Sequence, residues 1–208
     1  MNEPEYLLKF VPKRKYAEDL VAGTLFTRPA GYYISLELGR GDWQESTIAS
    51  GLALYKNFNM PIYCMVAVEH EEIKNGVYRI DKRIIHDFQC KNGSVAIVKY
   101  LELIKRLPKF ENGQMVAHGY VDYREINFTE TPYLLVDSKG VNLRIKNPDL
   151  YYQHEYRFIF PEHLYQPNEK RVEFKYYKLT DTLDKCSDIR DISSLRIDES
   201  SFLLPINI

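Results

Sequence analysis

The stretch from Lys146 to Phe160, KNPDLYYQHEYRFIF, constrains this chain more than any other. Side chains alternate along an extended backbone. A strand over 152–160, entered from Tyr151, therefore sets Tyr151, Gln153, Glu155 and Arg157 on one side and Tyr152, His154, Tyr156 and Phe158 on the other. One face is polar and the other mostly aromatic. Such a strand packs its aromatic face into a core and projects a carboxylate and a carboxamide together into the space above the sheet. Gln153 and Glu155 are thus a candidate catalytic pair.

The chain around this stretch is long and apolar enough to fold. Its 208 residues, 45% hydrophobic and 13% aromatic, support a real core. No internal repeat, low-complexity tract or linker divides it, so a single domain over 1–208 is the simpler reading. Lys and Arg number 28 against 29 Asp and Glu, a balance that gives no global field to hold DNA or an anionic membrane. Any nucleic-acid contact would be local. No apolar run approaches the roughly 20 residues that cross a bilayer, and the start, MNEPEYLLKF, lacks the basic and apolar regions of a signal peptide. The expectation is a cytoplasmic protein with no membrane partner. Cys64, Cys90 and Cys186 are odd in number and widely spaced, which fits reduced, packed thiols better than a disulfide framework or a metal knuckle.

Hydrophobic spacing predicts a strand over Tyr6 to Val11, a break at Pro12, a helix over Lys15 to Ala22 and an extended segment from Thr24 to Leu38. The glycine-flanked loop LGRGDWQES feeds a helix from about Thr47 to Tyr55. Pro61 to Glu69 has the composition of a buried strand, and Asn75-Gly76 turns it toward a partner strand at Val77 to Ile80. Ser94 to Leu107 fits a helix with Lys99, Lys105 and Arg106 outside, ended by Pro108. Further strands are expected at Met115 to Tyr123, Tyr133 to Val136 and Val172 to Leu179, and a short helix and an edge strand after Asp181. Strands outnumber helices and do not alternate regularly with them. The expected class is α+β, a compact mixed or antiparallel split sheet with a few helices.

A Q-x-E pair opening a late strand, behind a polar loop, resembles the ADP-ribosyltransferase superfamily, as does the N-terminal order of strand, helix and aromatic-rich extended segment. That resemblance implies cleavage of the nicotinamide–ribose bond of NAD and transfer of ADP-ribose to a protein side chain or a nucleic-acid base. Glu155 would be the catalytic carboxylate and Gln153 would orient the acceptor. Bond breaking builds positive charge on the ribose, which a nearby carboxylate stabilises. Tyr151 or Tyr152 would stack on a flat ring, Arg157 would hold a phosphate through its fork of donors, and Lys9 stands on the first strand where the family has Arg or His. The middle of the chain has no Ser-Thr-Ser strand. A longer set, Lys146, Tyr152, Gln153, Glu155, Tyr156 and Arg157 with Arg40, Asp42 and Glu45, looks like that of small bacterial and phage proteins. This second likeness implies a toxin or phage-defence setting, in which a neutralising partner protein has a place.

Each feature also has a plainer reading. Glu155 and Arg157, two apart on an exposed strand, fit an ordinary surface ion pair. Arg40, Asp42 and Glu45 reach over a site to grip a phosphate or ribose, or they form a solvated turn. The five histidines are scattered, and the lone spacing of four between His86 and Cys90 fits packing as well as half a zinc site. Lys99, Lys105, Arg106 and Lys109 form a local nucleic-acid patch or the wet side of a helix. The rival to an enzyme is a non-catalytic phage or host interaction module using its 17 tyrosines as anchors.

Overall fold

Alternation along the first strand sets the layering of the molecule. The computed structural model describes residues 3–29, 61–110, 113–123, 145–146, 148–161, 175–206 and 208. In it, β1 (Tyr6–Val11) sends Leu7 and Val11 into one core and Tyr6, Leu8 and Phe10 into a second. Pro12 ends the strand, and α1 (Arg14–Val21) buries Ala17 and Leu20 in the first core. Gly23, at φ +85°, carries the chain out of the helix through a conformation that β-carbon-bearing residues disfavour. From it runs β2 (Thr24–Pro29).

The next elements are β3 (Pro61–Val68), β4 (Val77–Asp81), α2 (Lys82–Asp87), β5 (Ser94–Lys99), α3 (Tyr100–Lys105), β6 (Ala117–Tyr120), β7 (Asp122–Tyr123) and β8 (Ile145–Lys146). They are followed by β9 (Glu155–Ile159), β10 (Lys175–Lys178), β11 (Ser187–Asp191), β12 (Arg196–Asp198) and β13 (Ser201–Pro205). The main sheet runs β10-β2-β3-β1-β5-β11, with β9 on β3 and β6 on β9. A smaller sheet runs β12-β13-β4. Every pairing is antiparallel except β7 with β8, so among the described residues the protein is α+β with a mostly antiparallel sheet and few helices.

Helices α1 and α3 cover one face, where Leu20, Leu103, Tyr156, Phe158 and Phe160 pack. Helix α2 and the small sheet cover the other, where Ile80, Ile84, Ile97 and Leu204 pack. Both faces of the central strands are therefore buried. This explains the largest departure from the sequence expectation: 94–99 is a strand, and only 100–105 is helical. Val95 and Ile97 point to one core while Ala96 and Val98 point to the other, so the apolar run is continuous and imitates a buried helix. Lys105 and Arg106 pair with Glu102 on this helix.

Three other segments differ. Residues 148–153 form a 3₁₀ turn, and β9 begins only at Glu155 after His154 at φ +42°, so Gln153 and Tyr152 precede the strand. The turn at Asn75 and Gly76, both with positive φ, leads to β4 as expected, but β4 pairs with β13 instead of returning along β3. The segment after Asp181 supplies the expected edge strand, β11, and a short 3₁₀ helix over Ile192–Ser194, but also adds two strands to the small sheet. The loop holding Arg40, Asp42 and Glu45, the helix expected over 47–55 and the strand expected over 133–136 lie outside the described residues.

Candidate functional site

The main sheet forks at β3. Ile62 and Val66 each have partners on both sides: Ile159 and Glu155 of β9 on one edge, Arg28 of β2 and Leu8 of β1 on the other. Between those points, among the described residues, Tyr63, Cys64 and Met65 have register partners only on β9. From β3, β1 and β2 diverge, and α1 spans the gap between their far ends. A cavity of about 380 Å³ occupies the fork.

Lys9 projects into this space from β1. Its Nζ donates to the Cys64 carbonyl oxygen at 2.6 Å, supplying a partner in the gap between the diverging strands. The same Nζ lies 4.2 Å from the centre of the Tyr63 ring. Burial lowers the pKa of Lys9; Cys64 and Glu155 oppose that shift and the Arg28 guanidinium adds to it. Glu155 reaches the cavity from the opposite edge of β3, directly across from Val66. Phe10, Phe26, Tyr63, Phe88 and Tyr176 supply flat apolar walls, and Arg28 lies over the Phe26 ring at 5.5 Å.

Behind Glu155 is a buried polar network. Glu155 Oε1 accepts from Arg157 Nε at 2.6 Å, and Oε2 accepts from Lys146 Nζ at 2.8 Å. Lys146 also donates to Gln153 Oε1 at 2.7 Å, and Gln153 Nε2 donates to Asp87 Oδ2 at 3.3 Å. Tyr152 donates its hydroxyl to the same Asp87 oxygen, while Arg83 lies 3.8 Å over its ring. The backbone N–H of Glu155 donates to the Tyr123 hydroxyl at 2.9 Å. Glu155 is 4% exposed and Arg157 1%, so the surface ion pair considered from sequence is a buried one. Opposite charges thus face one another through this network, Lys146 and Arg157 about Glu155 and Arg83 near Tyr152 and Asp87, as taking charge out of water requires.

The site residues expected from sequence thus separate into groups. Lys9 and Glu155 both line the cavity. Gln153 is wholly buried and touches Lys146, one step behind Glu155, and Arg157 lies on the other side of the same carboxylate. Tyr152 belongs to the Asp87 end of the network, and Tyr151 is exposed against Tyr123 and His154. Arg40 lies outside the described residues. Sequence reasoning gave no role to Asp87, Arg28 or Tyr123, and quoted Lys146 only as part of a string. Nothing in local spacing marks them, because each joins the cluster through tertiary contacts. Among the described residues no group of three or more metal-ligating side chains comes together, and no helix is long and apolar enough to cross a membrane. No protein-family model, curated protein or solved structure matches this chain.

Proposed function

We propose that this protein is an NAD-consuming transferase of the ADP-ribosyltransferase type, working in the cavity at the fork. The observation that carries the reading is that Lys9 and Glu155, from strands far apart in sequence, line one concave, aromatic-walled space. The glycosidic bond of NAD breaks with its electron pair going to the nicotinamide nitrogen, which leaves a sugar cation. Glu155 stabilises that cation from a buried position, where water screens its charge little. Arg28 holds an anionic group of the dinucleotide, Lys9 donates a hydrogen bond to its oxygens, and the rings stack on its flat parts. Gln153 was expected to orient the acceptor; in this reading it holds Lys146, and Lys146 with Arg157 fixes the rotamer of Glu155. Side chains or nucleobases remain the acceptor classes, and a toxin or phage-defence setting with a neutralising partner fits this activity.

A second reading has its own support. Both carboxylate oxygens of Glu155 are already engaged by cations, which suits a binding module whose cavity holds a ligand without reacting with it. Incubation of purified protein with labelled NAD, alone and with cell extract, separates the two. Transferase activity predicts nicotinamide release and labelled product, falling about 100-fold or more in Glu155→Gln. Glu155→Asp, which keeps the charge, controls for folding. NAD binding seen by calorimetry without nicotinamide release favours the module, and neither binding nor release removes the NAD reading.

A further inference from the structure

From the placement of Lys9 we infer that its side chain is a reactive amine that condenses with a flat aldehyde or ketone entering the cavity. This goes beyond the NAD reading and does not rest on it. Lys9 sits in the middle of β1, where its backbone is paired with Ala96 of β5, so the base of the side chain is fixed. Its Nζ reaches the wall of the cavity between the Tyr63 ring and the Cys64 carbonyl. The bond to Cys64 uses an N–H and leaves the lone pair of a neutral amine for a second partner. Tyr63, Phe10 and Phe88 form walls that suit a planar carbonyl compound.

The surroundings also favour the neutral amine. Burial lowers the proton affinity of Lys9 and Arg28 lowers it further, against Cys64 and Glu155. Asp19 also lines the cavity from α1. A lysine desolvated in an apolar pocket beside another cation is the usual setting for imine chemistry. In the reaction the Nζ lone pair forms a bond to the carbonyl carbon, and the C=O π pair moves to oxygen, which takes a proton. The carbinolamine then expels that oxygen as water as the C=N bond forms, so the oxygen carries away both hydrogens of the neutral amine.

The test uses the whole wild-type protein, limiting pyridoxal 5′-phosphate as the aldehyde and borohydride to fix the imine by hydride addition at its carbon. Peptide mass spectrometry then compares Lys9 with every other lysine in the same molecule, an internal standard that needs no variant. Lys9 is expected to be labelled at least about tenfold faster than exposed lysines near neutral pH, since each unit of lowered pKa raises the neutral fraction about tenfold. Its rate should level off at a lower pH than theirs. Labelling spread over surface lysines, with Lys9 no faster, would overturn the inference. Because NAD takes no part in the assay, this failure and failure of the transferase reading are distinguishable.

Discussion

The ammonium of Lys146 lies 2.8 Å from the carboxylate of Glu155, and each side chain is only 5% exposed. Removing one partner of a buried pair unbalances the charge left behind: Lys146→Met leaves Glu155 on Arg157 alone and takes the Lys146 donor from Gln153 Oε1, while removing Glu155 as well takes that carboxylate from Arg157. Lys146→Met is therefore expected to cost about 3 kcal/mol in urea unfolding. Adding Glu155→Gln to it should cost less than the sum of the two single changes, because the residues share one network. Additive effects within error would show that the pair is not coupled.

Alkaline pH should unfold the protein through this same lysine. Burial alone would lower its proton affinity, but the charge of Glu155, Tyr123 and the bond to Glu155 outweigh it, so its folded pKa lies above the ordinary 10.5. The folded state holds this proton more tightly than the unfolded chain. Its contribution is full below pH 10.5 and is lost as pH rises through the folded value. Burial also raises the phenols of Tyr63, Tyr123 and Tyr156 above 10.0, with the same sign. Lys9 has the opposite sign, gaining stability from its lowered folded value up to 10.5. The urea midpoint is expected to fall above about pH 10, less steeply in Lys146→Met. Complete tyrosinate absorbance should be reached only with loss of circular dichroism; ionisation of all 17 tyrosines before unfolding would contradict the burial of these rings.

Gly93 is required for a close approach. A β-carbon there would lie 1.9 Å from the Val11 carbonyl oxygen and 2.9 Å from its carbon, both backbone atoms at the end of β1. Gly93→Ala should cost about 3 kcal/mol by overpacking. Gly113→Ala meets nothing within 4 Å and suffers only from its φ of +73°, at about 1 kcal/mol. Thermal melts of the two variants should rank in that order.

The three thiols should resist alkylation in the native protein. Burial raises all three, with Cys90 pushed up to about 12 and Cys64 raised further by the neighbouring Glu155. Iodoacetamide at neutral pH should modify each at least about tenfold more slowly than a free thiol, and all three promptly in denaturant. Rapid native labelling of Cys64, read by intact mass, would show that it is exposed to solvent through the cavity.

Much of the fold was legible because local rules act within a few residues. Tyr6 to Val11, the helix broken by Pro12 and Gly23, the strand after Pro61 and the turn at Asn75-Gly76 follow from periodicity and backbone preference alone. The strand over 94–99 did not, since an apolar run buried on both faces has no period to separate it from a helix. The partner of β4 is also unreadable locally, because β13 lies far along the chain. Of the candidate site, Glu155 and Arg157 were visible as neighbours on one strand face, but not their burial.

The amino-acid sequence by itself determined the α+β character, the apolar-rich first strand and the presence of a carboxylate and a carboxamide two residues apart, since these depend on residue type and spacing. Only the tertiary structure decided that β1 and β2 part from β3, that Lys9 and Glu155 reach the same cavity, and that Lys146 and Asp87 complete the network behind it. The reason is physical: a buried charge is stable only where opposite charges and hydrogen-bond partners surround it, and the chain brings those together only by folding.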